Sequence, residues 1–216
     1  MPYRETAQTR ARRDAVRERI VAAAREQVGE GGYASASVQA IARRAGVATG
    51  SVYRHFPSKA ALFAEVFRRA SQRELDLVIA LTANEELRPS ERVAAAVEAF
   101  SRRALAGPTM AYALLAEPVD PVVEAERLRF RRGYRDAFKR ALEDGIAAGE
   151  FREHDAELAA AAIVGALGEA LLGPLSPASN GRSEPKHHDA LVANLVQFCL
   201  NATTKENADV GARSHA

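Results

Sequence analysis

The chain has 216 residues, of which 47% are hydrophobic and 27% charged, a balance typical of a globular protein and not of a disordered one. No apolar run is expected to be long enough to cross a bilayer, and no secretory signal follows the N-terminal arginines, so we expect a cytoplasmic protein. Residues 1–73 hold 14 Lys and Arg against 6 Asp and Glu, a net charge of +8, whereas the remaining residues carry −6. The amino end is therefore suited to meeting a polyanion.

The first helix is amphipathic and the second begins at a serine. Val16, Ile20 and Val28 fall at helical spacing, and the pattern ends at the glycine pair 31–32. Ser37 is a natural N-cap for a short helix with Ile41 on its inner face.

A tight turn then separates this short helix from another one. Gly46 is free to take a positive φ in that turn, and residues 49–55 form the next short helix. Ser58 caps a longer helix that continues past Ile79.

Prolines divide the rest of the chain into further helices, because proline starts or ends a helix more easily than it occupies the interior. The predicted helices cover about 90–106, 109–117, 121–148, 155–173 and 186–203. Residues 174–185 read as a loop and residues 205–216 as a disordered tail.

Two short helices joined by a glycine-containing turn, after a longer amphipathic helix, indicate a helix-turn-helix. Gly50 and Ser51 keep the first turn of the second short helix thin enough to approach base edges in a major groove. The alternative is an ordinary helical hairpin with a basic, solvated face. The charge of +8 favours DNA binding.

The stretch SVQAIARRAGVATGSVYRHFPSKAALF resembles the signature of the TetR family of one-component bacterial repressors. The similarity runs from the small hydroxyl residue that opens the second helix to the Tyr-x-His-Phe and Ser-Lys at the end. Ala61 departs from it, since the family usually has an acid there. The resemblance covers about the first quarter of the chain.

This resemblance implies a role for each matching residue at the amino end. It makes Ser37, Tyr53, His55 and Lys59 phosphate contacts, and it places Gln39, Thr49, Gly50 and Ser51 against bases. Arg43, Arg44 and Arg54 are expected to face phosphates. Gln39 is the best single candidate for reading a base, because glutamine can bond adenine twice, and its alternative is a solvated polar residue. Arg10, Arg12 and Arg13 are expected to form either a minor-groove arm or a disordered, solvated leader.

For the carboxyl part the resemblance implies a helical domain that binds an inducer and forms a dimer. Helix 155–173 is apolar nearly all round, so both of its faces need to be covered. With helix 186–203, which carries Leu191, Leu195, Phe198 and Cys199, it would give a four-helix bundle about a two-fold axis. Gly165 belongs to a stripe of small residues that permits close helix approach. We interpret Cys199 as a packing residue. Because it is the only cysteine in the sequence, an intramolecular disulfide is excluded.

Apolar residues of the middle helices are candidates for lining a ligand cavity, with plain core packing as the alternative. The predicted ligand-binding residues are Phe100, Met110, Tyr112, Arg127, Phe130, Tyr134, Ile163, Leu167 and Glu169. Arg127 and Glu169 interrupt apolar stripes and need partners, either as a structural bridge or as polar anchors for a ligand. Without tryptophan, a small aliphatic or mono-aromatic ligand suits the composition. No metal or cofactor is expected, since the neighbouring pair His187–His188 cannot chelate one ion well.

The sequence thus predicts an all-α protein of about nine helices. Residues 1–58 form a three-helix helix-turn-helix domain that binds double-stranded DNA. Residues 59–204 form a helical ligand-binding and dimerisation domain. The predicted function is a homodimeric repressor released from a palindromic operator by a small-molecule inducer. The alternatives are a helical DNA-binding protein without a ligand and, from another class, an enzyme, for which we find no nucleophile–base pair or phosphate-binding glycine loop.

Overall fold

The computed structural model describes residues 7–177 and 185–204, and these residues form nine helices with no strand longer than an isolated bridge between Phe151 and Thr204. The helices are α1 (Ala7–Ser35), α2 (Val38–Arg44), α3 (Thr49–His55), α4 (Lys59–Thr82), α5 (Pro89–Ala106), α6 (Pro108–Leu115), α7 (Pro121–Ala147), α8 (Ala156–Leu175) and α9 (Pro185–Thr203). The all-α prediction is confirmed over this part of the chain. Most of the predicted loop 174–185 and the whole of the tail 205–216 lie outside the described residues.

Serine side chains cap the N-termini of α2 and α4, as the sequence predicts. The Ser37 hydroxyl accepts a hydrogen bond from the Ala40 N–H at 3.2 Å, and the Ser58 hydroxyl accepts one from the Ala61 N–H at 3.0 Å. Gly46 adopts the expected left-handed conformation, with φ 66°. Pro174 is an exception to the proline pattern, because it sits inside α8, which continues to Leu175.

The first helix changes direction at Gly32, whose φ of 79° is a conformation that other residues rarely adopt. A Cβ at this position would lie only 2.9 Å from a carboxylate oxygen of Glu117. The regular part of α1 therefore ends at the predicted glycine pair, and the kink directs the chain into α2.

Buried apolar side chains form two clusters. The first joins α1, α2 and α3 to the first part of α4, with Ala113, Val123 and Phe130 from α6 and α7. The second joins α5, α8 and α9 to the later parts of α4 and α7. Because α4 and α7 contribute to both clusters, they connect the amino-terminal helices to the rest of the molecule.

A buried carboxylate also fastens α1 to α4. Glu65 is 6% exposed and lies 3.1 Å from the Arg17 guanidinium and 2.7 Å from that of Arg69, and it also contacts Arg68. A buried charge needs such partners, and removing one is far more costly than losing a surface ion pair.

The most apolar helix, α8, is covered on one side only. Ile163, Leu167 and Leu171 are buried, whereas Leu158 is 68% exposed. Only 28% of the 18-residue apolar stretch of α8 is buried inside the protein. By length and composition α8 could cross a membrane, so the expectation that no apolar run reaches that length was wrong. One such helix is weak evidence for a membrane segment, since a packed helix of a soluble protein passes the same test.

Candidate DNA-binding surface and ligand cavity

A few apolar side chains of α2 and α3 hold the helix-turn-helix to the rest of the molecule. Ile41, Val52 and Phe56 are buried in the first cluster, so the opposite side of α3 faces solvent. Gly50 is exposed there, and a Cβ built on it meets no atom within 4 Å. The start of α3 is therefore open to a closely approaching partner, as the sequence predicts.

The predicted DNA-contacting residues are all at least partly accessible. Gln39, Arg43, Arg44, Gly50, Tyr53 and Arg54 are exposed, while Ser37, Thr49, Ser51, His55 and Lys59 are half-buried. Two of the arginines already have partners within the chain. Arg44 lies 2.8 Å from Glu30 and 3.7 Å from Glu26, and Arg54 donates to the Ser51 hydroxyl at 2.6 Å.

Lys59 and His55 flank the end of α3 in different electrostatic settings. The Lys59 ammonium lies 4.9 Å from the ring centroid of Tyr33 and 5.5 Å from that of Phe63, which orients it by cation–π attraction. Burial, followed by the positive charges of Arg13 and Arg54, lowers the pKa of His55. Both effects favour the neutral form of the His55 imidazole in the free protein.

The arginines near the amino end do not form an extended arm. Arg10, Arg12 and Arg13 lie on α1 and are exposed. The expectation of a disordered leader was wrong, because α1 begins as early as Ala7, and a contact of these arginines with a minor groove stays a prediction.

A cavity of about 270 Å³ lies among α4, α5, α6, α7 and α8. Its lining is mainly apolar, and six predicted residues belong to it: Phe100, Met110, Arg127, Phe130, Tyr134 and Leu167. Its volume is near the lower end of the usual range for ligand pockets, about 300–1,000 Å³.

Two hydroxyl groups in this cavity have no hydrogen-bond partner among the described residues. Ser71, on α4, is only 5% exposed and lines the cavity, as does Tyr134 from α7. Burial raises the pKa of Tyr134, and the nearby carboxylates of Glu74 and Asp76 raise it further, so the phenol keeps its proton. These two groups are available to hydrogen-bond a ligand inside an otherwise apolar space.

Arg127 is buried and lines the cavity, yet its donors are directed at the backbone. It is 8% exposed and donates to the carbonyl oxygens of Ala113 at 3.1 Å, Leu114 at 3.0 Å and Glu117 at 2.7 Å, and it pairs with Glu124. Burial lowers its pKa, although a guanidinium remains charged. The structural-bridge alternative is the one observed, with α6 as the other end of the bridge.

Three predicted ligand residues do not line this cavity. Ile163 is 3% exposed and belongs to the second apolar cluster, and Tyr112 packs against the same cluster. Glu169 is exposed and lies instead in a separate groove between α7 and α8, so it is not a buried charge. The pattern was misread because α8 has an exposed side, where a carboxylate is stable without a partner.

Sequence reasoning also missed several cavity residues, notably Ser71, Glu74, Arg103 and Arg131. Ser71 could have been found, since a serine follows Phe67 by four positions on the apolar stripe of α4. The Glu74–Arg103 ion pair, at 2.6 Å, joins α4 to α5. The two residues are 29 positions apart in sequence, and no local pattern indicates that they meet.

Glu117, just after α6, connects the cavity to the amino-terminal helices. Its carboxylate accepts hydrogen bonds from the backbone N–H groups of Tyr33 at 2.7 Å and Ala34 at 2.9 Å. The Tyr33 hydroxyl donates to Asp120, and burial together with this bond raises the pKa of Tyr33 to about 12. The end of α6 is thus bonded on one side to cavity residue Arg127 and on the other to the kink that precedes α2.

Two family models match the chain. Residues 20–66 match bacterial regulatory proteins of the tetR family, and residues 86–171 match the tetracyclin repressor-like C-terminal domain. A search among curated proteins gave no significant match.

Solved structures share the whole architecture. The fatty acid degradation regulator FadR from Bacillus halodurans is 25% identical, with a TM-score of 0.72 over 85% of this chain and 94% of that one. FadR from Bacillus subtilis, in complex with stearoyl-CoA, is 21% identical, with a TM-score of 0.71 over 84% and 96%. A TetR/AcrR-family regulator from Thermobifida fusca is 25% identical, with a TM-score of 0.67 over 86% and 96%. With both family models matched in chain order and the fold shared, this chain belongs to the TetR family of bacterial transcriptional regulators.

Proposed function

We propose that this regulator is a repressor that binds a palindromic operator as a homodimer and leaves it when an apolar ligand fills the cavity among α4–α8. In this proposal residues 1–58 are the DNA-binding domain and residues 59–204 the ligand-binding and dimerisation domain. The observation that carries it is the bonded path from cavity residue Arg127, through Glu117, to the kink at the entry of the helix-turn-helix.

On the DNA side, we assign phosphate contacts to Ser37, Tyr53, His55 and Lys59 and base contacts to Gln39, Thr49, Gly50 and Ser51. The exposure of Gln39 and the open space over Gly50 support this assignment. Replacing Lys59 or Tyr53 should weaken binding to all sequences alike, because phosphate contacts carry no sequence information. Replacing Gln39 or Thr49 should change which bases are preferred. Equal losses on every sequence for all four changes would contradict these roles.

On the ligand side, filling the cavity would push on α6. Met110 and Leu114 line the cavity, and the backbone of the last turn of α6 is held by Arg127. A shift of this turn would pull Glu117 away from the Tyr33 and Ala34 N–H groups or drag the kink with it. Either response changes how the helix-turn-helix sits on the body and hence the separation of the two DNA-reading units in a dimer.

For the dimer contact we propose the uncovered sides of α8 and α9. Leu158 on α8 is 68% exposed and Phe198 on α9 is 60% exposed, which makes them the two most exposed large apolar side chains among the described residues. Leu195, which the sequence placed in the contact, is 6% exposed and packs in the second cluster of the same subunit. Of the two residues, which the sequence placed on this surface together, we therefore keep Phe198 in the proposed contact and leave Leu195 out.

The ligand we propose is mainly aliphatic. The lining of the cavity is mainly apolar, and its uncharged polar groups without a hydrogen-bond partner among the described residues are the hydroxyls of Ser71 and Tyr134. The likeness to regulators of fatty acid metabolism, one of them holding stearoyl-CoA, supports a ligand with an alkyl chain.

The test begins with an operator selected from random duplex DNA by the purified full chain. We then titrate dodecanoic acid and follow both release of that operator and thermal unfolding. At about 100 times its dissociation constant a ligand should raise the unfolding temperature by roughly 5–10 °C. Sequence-independent DNA binding would contradict the proposal. Operator binding that is weakened neither by a fatty acid between octanoic and hexadecanoic acid nor by an amphiphile with such an alkyl chain would also contradict it.

A further inference from the structure

A second cavity lies beside the first, in a groove of about 520 Å³ between α7 and α8. Arg131, Arg132 and Arg135 line its α7 side, while Gly165 and Gly168 leave space on its α8 side. The two spaces adjoin, because Leu115, Arg131, Val164 and Gly168 line both.

The groove carries unbalanced positive charge. Among the described residues, Arg131, Arg132 and Arg135 have no carboxylate at ion-pair distance, although Arg127 and Arg129 on the same helix are paired with Glu124 and Glu126. Glu169 is the one carboxylate in the lining, so the groove has a net charge of +2. Guanidinium groups left without partners beside a cavity are suited to an anion from outside the chain.

We propose that this groove binds the phosphate-bearing head group of an amphiphile whose alkyl tail occupies the adjoining cavity. The inference deepens the proposed function, on which it rests, by naming the ligand class. The tail passes between the two spaces at Arg131, which lines both.

The count of charges favours phosphate over a carboxylate. A single carboxylate would be balanced by one arginine, whereas three arginines at positions 131, 132 and 135 match a phosphate or diphosphate. The Glu169 carboxylate on α8 repels any anion in the groove. A multiply charged anion is therefore favoured, because it can engage all three arginines on α7. A coenzyme A thioester and a lysophospholipid both present this chemistry.

The guanidinium groups of the groove are accessible from solution. Arg131 and Arg132 are exposed and Arg135 is half-buried, and all three line the α7 side of the groove, whereas Gly165 and Glu169 line the α8 side.

The experiment measures binding of four probes to the full-length protein by titration calorimetry: dodecanoyl-CoA, dodecanoyl lysophosphatidic acid, dodecanoic acid and coenzyme A without a tail. The variants are Arg132→Gln and Arg135→Gln, with Arg140→Gln as the matched control, since Arg140 is exposed on the same helix but lines neither space. Arg132→Gln and Arg135→Gln should each weaken binding of the phosphate-bearing amphiphiles by at least about tenfold, because each variant removes a charge-assisted hydrogen bond. Dodecanoic acid should bind all variants alike, and Arg140→Gln should bind all probes as the unmodified protein does.

The outcomes separate this inference from the proposed function. If dodecanoic acid binds and releases the operator while neither phosphate-bearing amphiphile binds more tightly than it does, the inference is overturned and the proposed function stands. Equal affinity of dodecanoyl-CoA for the groove variants and the control also overturns it. Tighter, arginine-dependent binding of the lysophosphatidic acid supports a lipid source, and the same result with dodecanoyl-CoA supports a thioester. If no probe binds or affects the operator, both proposals fail.

Discussion

The Glu117 carboxylate accepts the backbone N–H of Tyr33 at 2.7 Å, across 84 residues of sequence, and the Ala34 N–H bonds to the same carboxylate. This is where the turn after α6 meets the kink of α1. Tyr33 leads into Ser37, which caps α2, so the orientation of the helix-turn-helix depends on this contact.

Glu117→Gln should therefore weaken operator binding while leaving ligand affinity nearly unchanged. Glutamine keeps one acceptor oxygen for one of the two backbone N–H groups, of Tyr33 and Ala34, but presents an NH2 group to the other. Losing one charge-assisted hydrogen bond costs about 1.5–3 kcal/mol. We expect operator affinity to fall about tenfold in a mobility-shift titration. Glu85→Gln, on an exposed loop residue, is the control. Unchanged affinity in Glu117→Gln would show that the contact does not orient the DNA-binding unit.

Gly50→Ala should separate folding from DNA binding. The added methyl meets no atom within 4 Å, and alanine is about 1 kcal/mol better than glycine in a helix, so stability should stay the same or rise. Operator binding should fall, because the methyl would occupy the space we assign to base edges. Thermal unfolding followed by circular dichroism measures the stability, and a mobility-shift titration on the same preparation measures operator binding. Full operator affinity in this variant would remove Gly50 from the interface.

Phe198→Arg should give a folded monomer that binds the operator poorly. The side chain is 60% exposed in the subunit, so the change costs little unless a partner covers it. Sedimentation measures the mass, and Val122→Arg, at another exposed apolar residue, is the matched control. Leu195→Arg should unfold the subunit instead, because Leu195 is buried. An intact Phe198→Arg dimer would move the contact elsewhere.

Operator affinity should increase as pH falls from about 8 to 6, and His55 should account for the increase. In the free protein the pKa of His55 lies below its usual value, chiefly because of burial, and a bound phosphate would raise it. Binding should thus take up a proton as the pH falls. The free energy of unfolding of the free protein should decrease in the same direction, since the unfolded state protonates first. His55→Gln should make binding less dependent on pH. The same pH dependence in that variant would assign it to another group.

The helix-turn-helix could be predicted closely because its signals are local. Ser37, Gly46 and Ser58 act through bonds or angles within a few residues, and all three do what their positions predict. The proline pattern likewise located the later helices to within a few residues.

The cavity could be predicted only in part, because periodicity shows that a residue is buried but not what it is buried against. Ile163 and Leu167 lie four residues apart on α8 and are equally buried, yet only Leu167 lines the cavity. The contact of Glu117 with Tyr33 depends on how α6 docks on α1, and no spacing in the sequence encodes it.

Helix α4 runs unbroken for 24 residues from the first apolar cluster into the second, about 36 Å at 1.5 Å per residue. The cavity contacts α4 at Phe67, Ser71 and Glu74, near the middle of the helix. A tilt of about 5° at Ser71 therefore moves the start of α4, about 18 Å away, by about 1.5 Å. Two-fold symmetry doubles this displacement to about 3 Å between the two DNA-reading units, compared with the roughly 34 Å that separates successive major grooves. A shift of the cavity walls by a fraction of an ångström per turn of α4 thus changes the spacing of both units on the same operator.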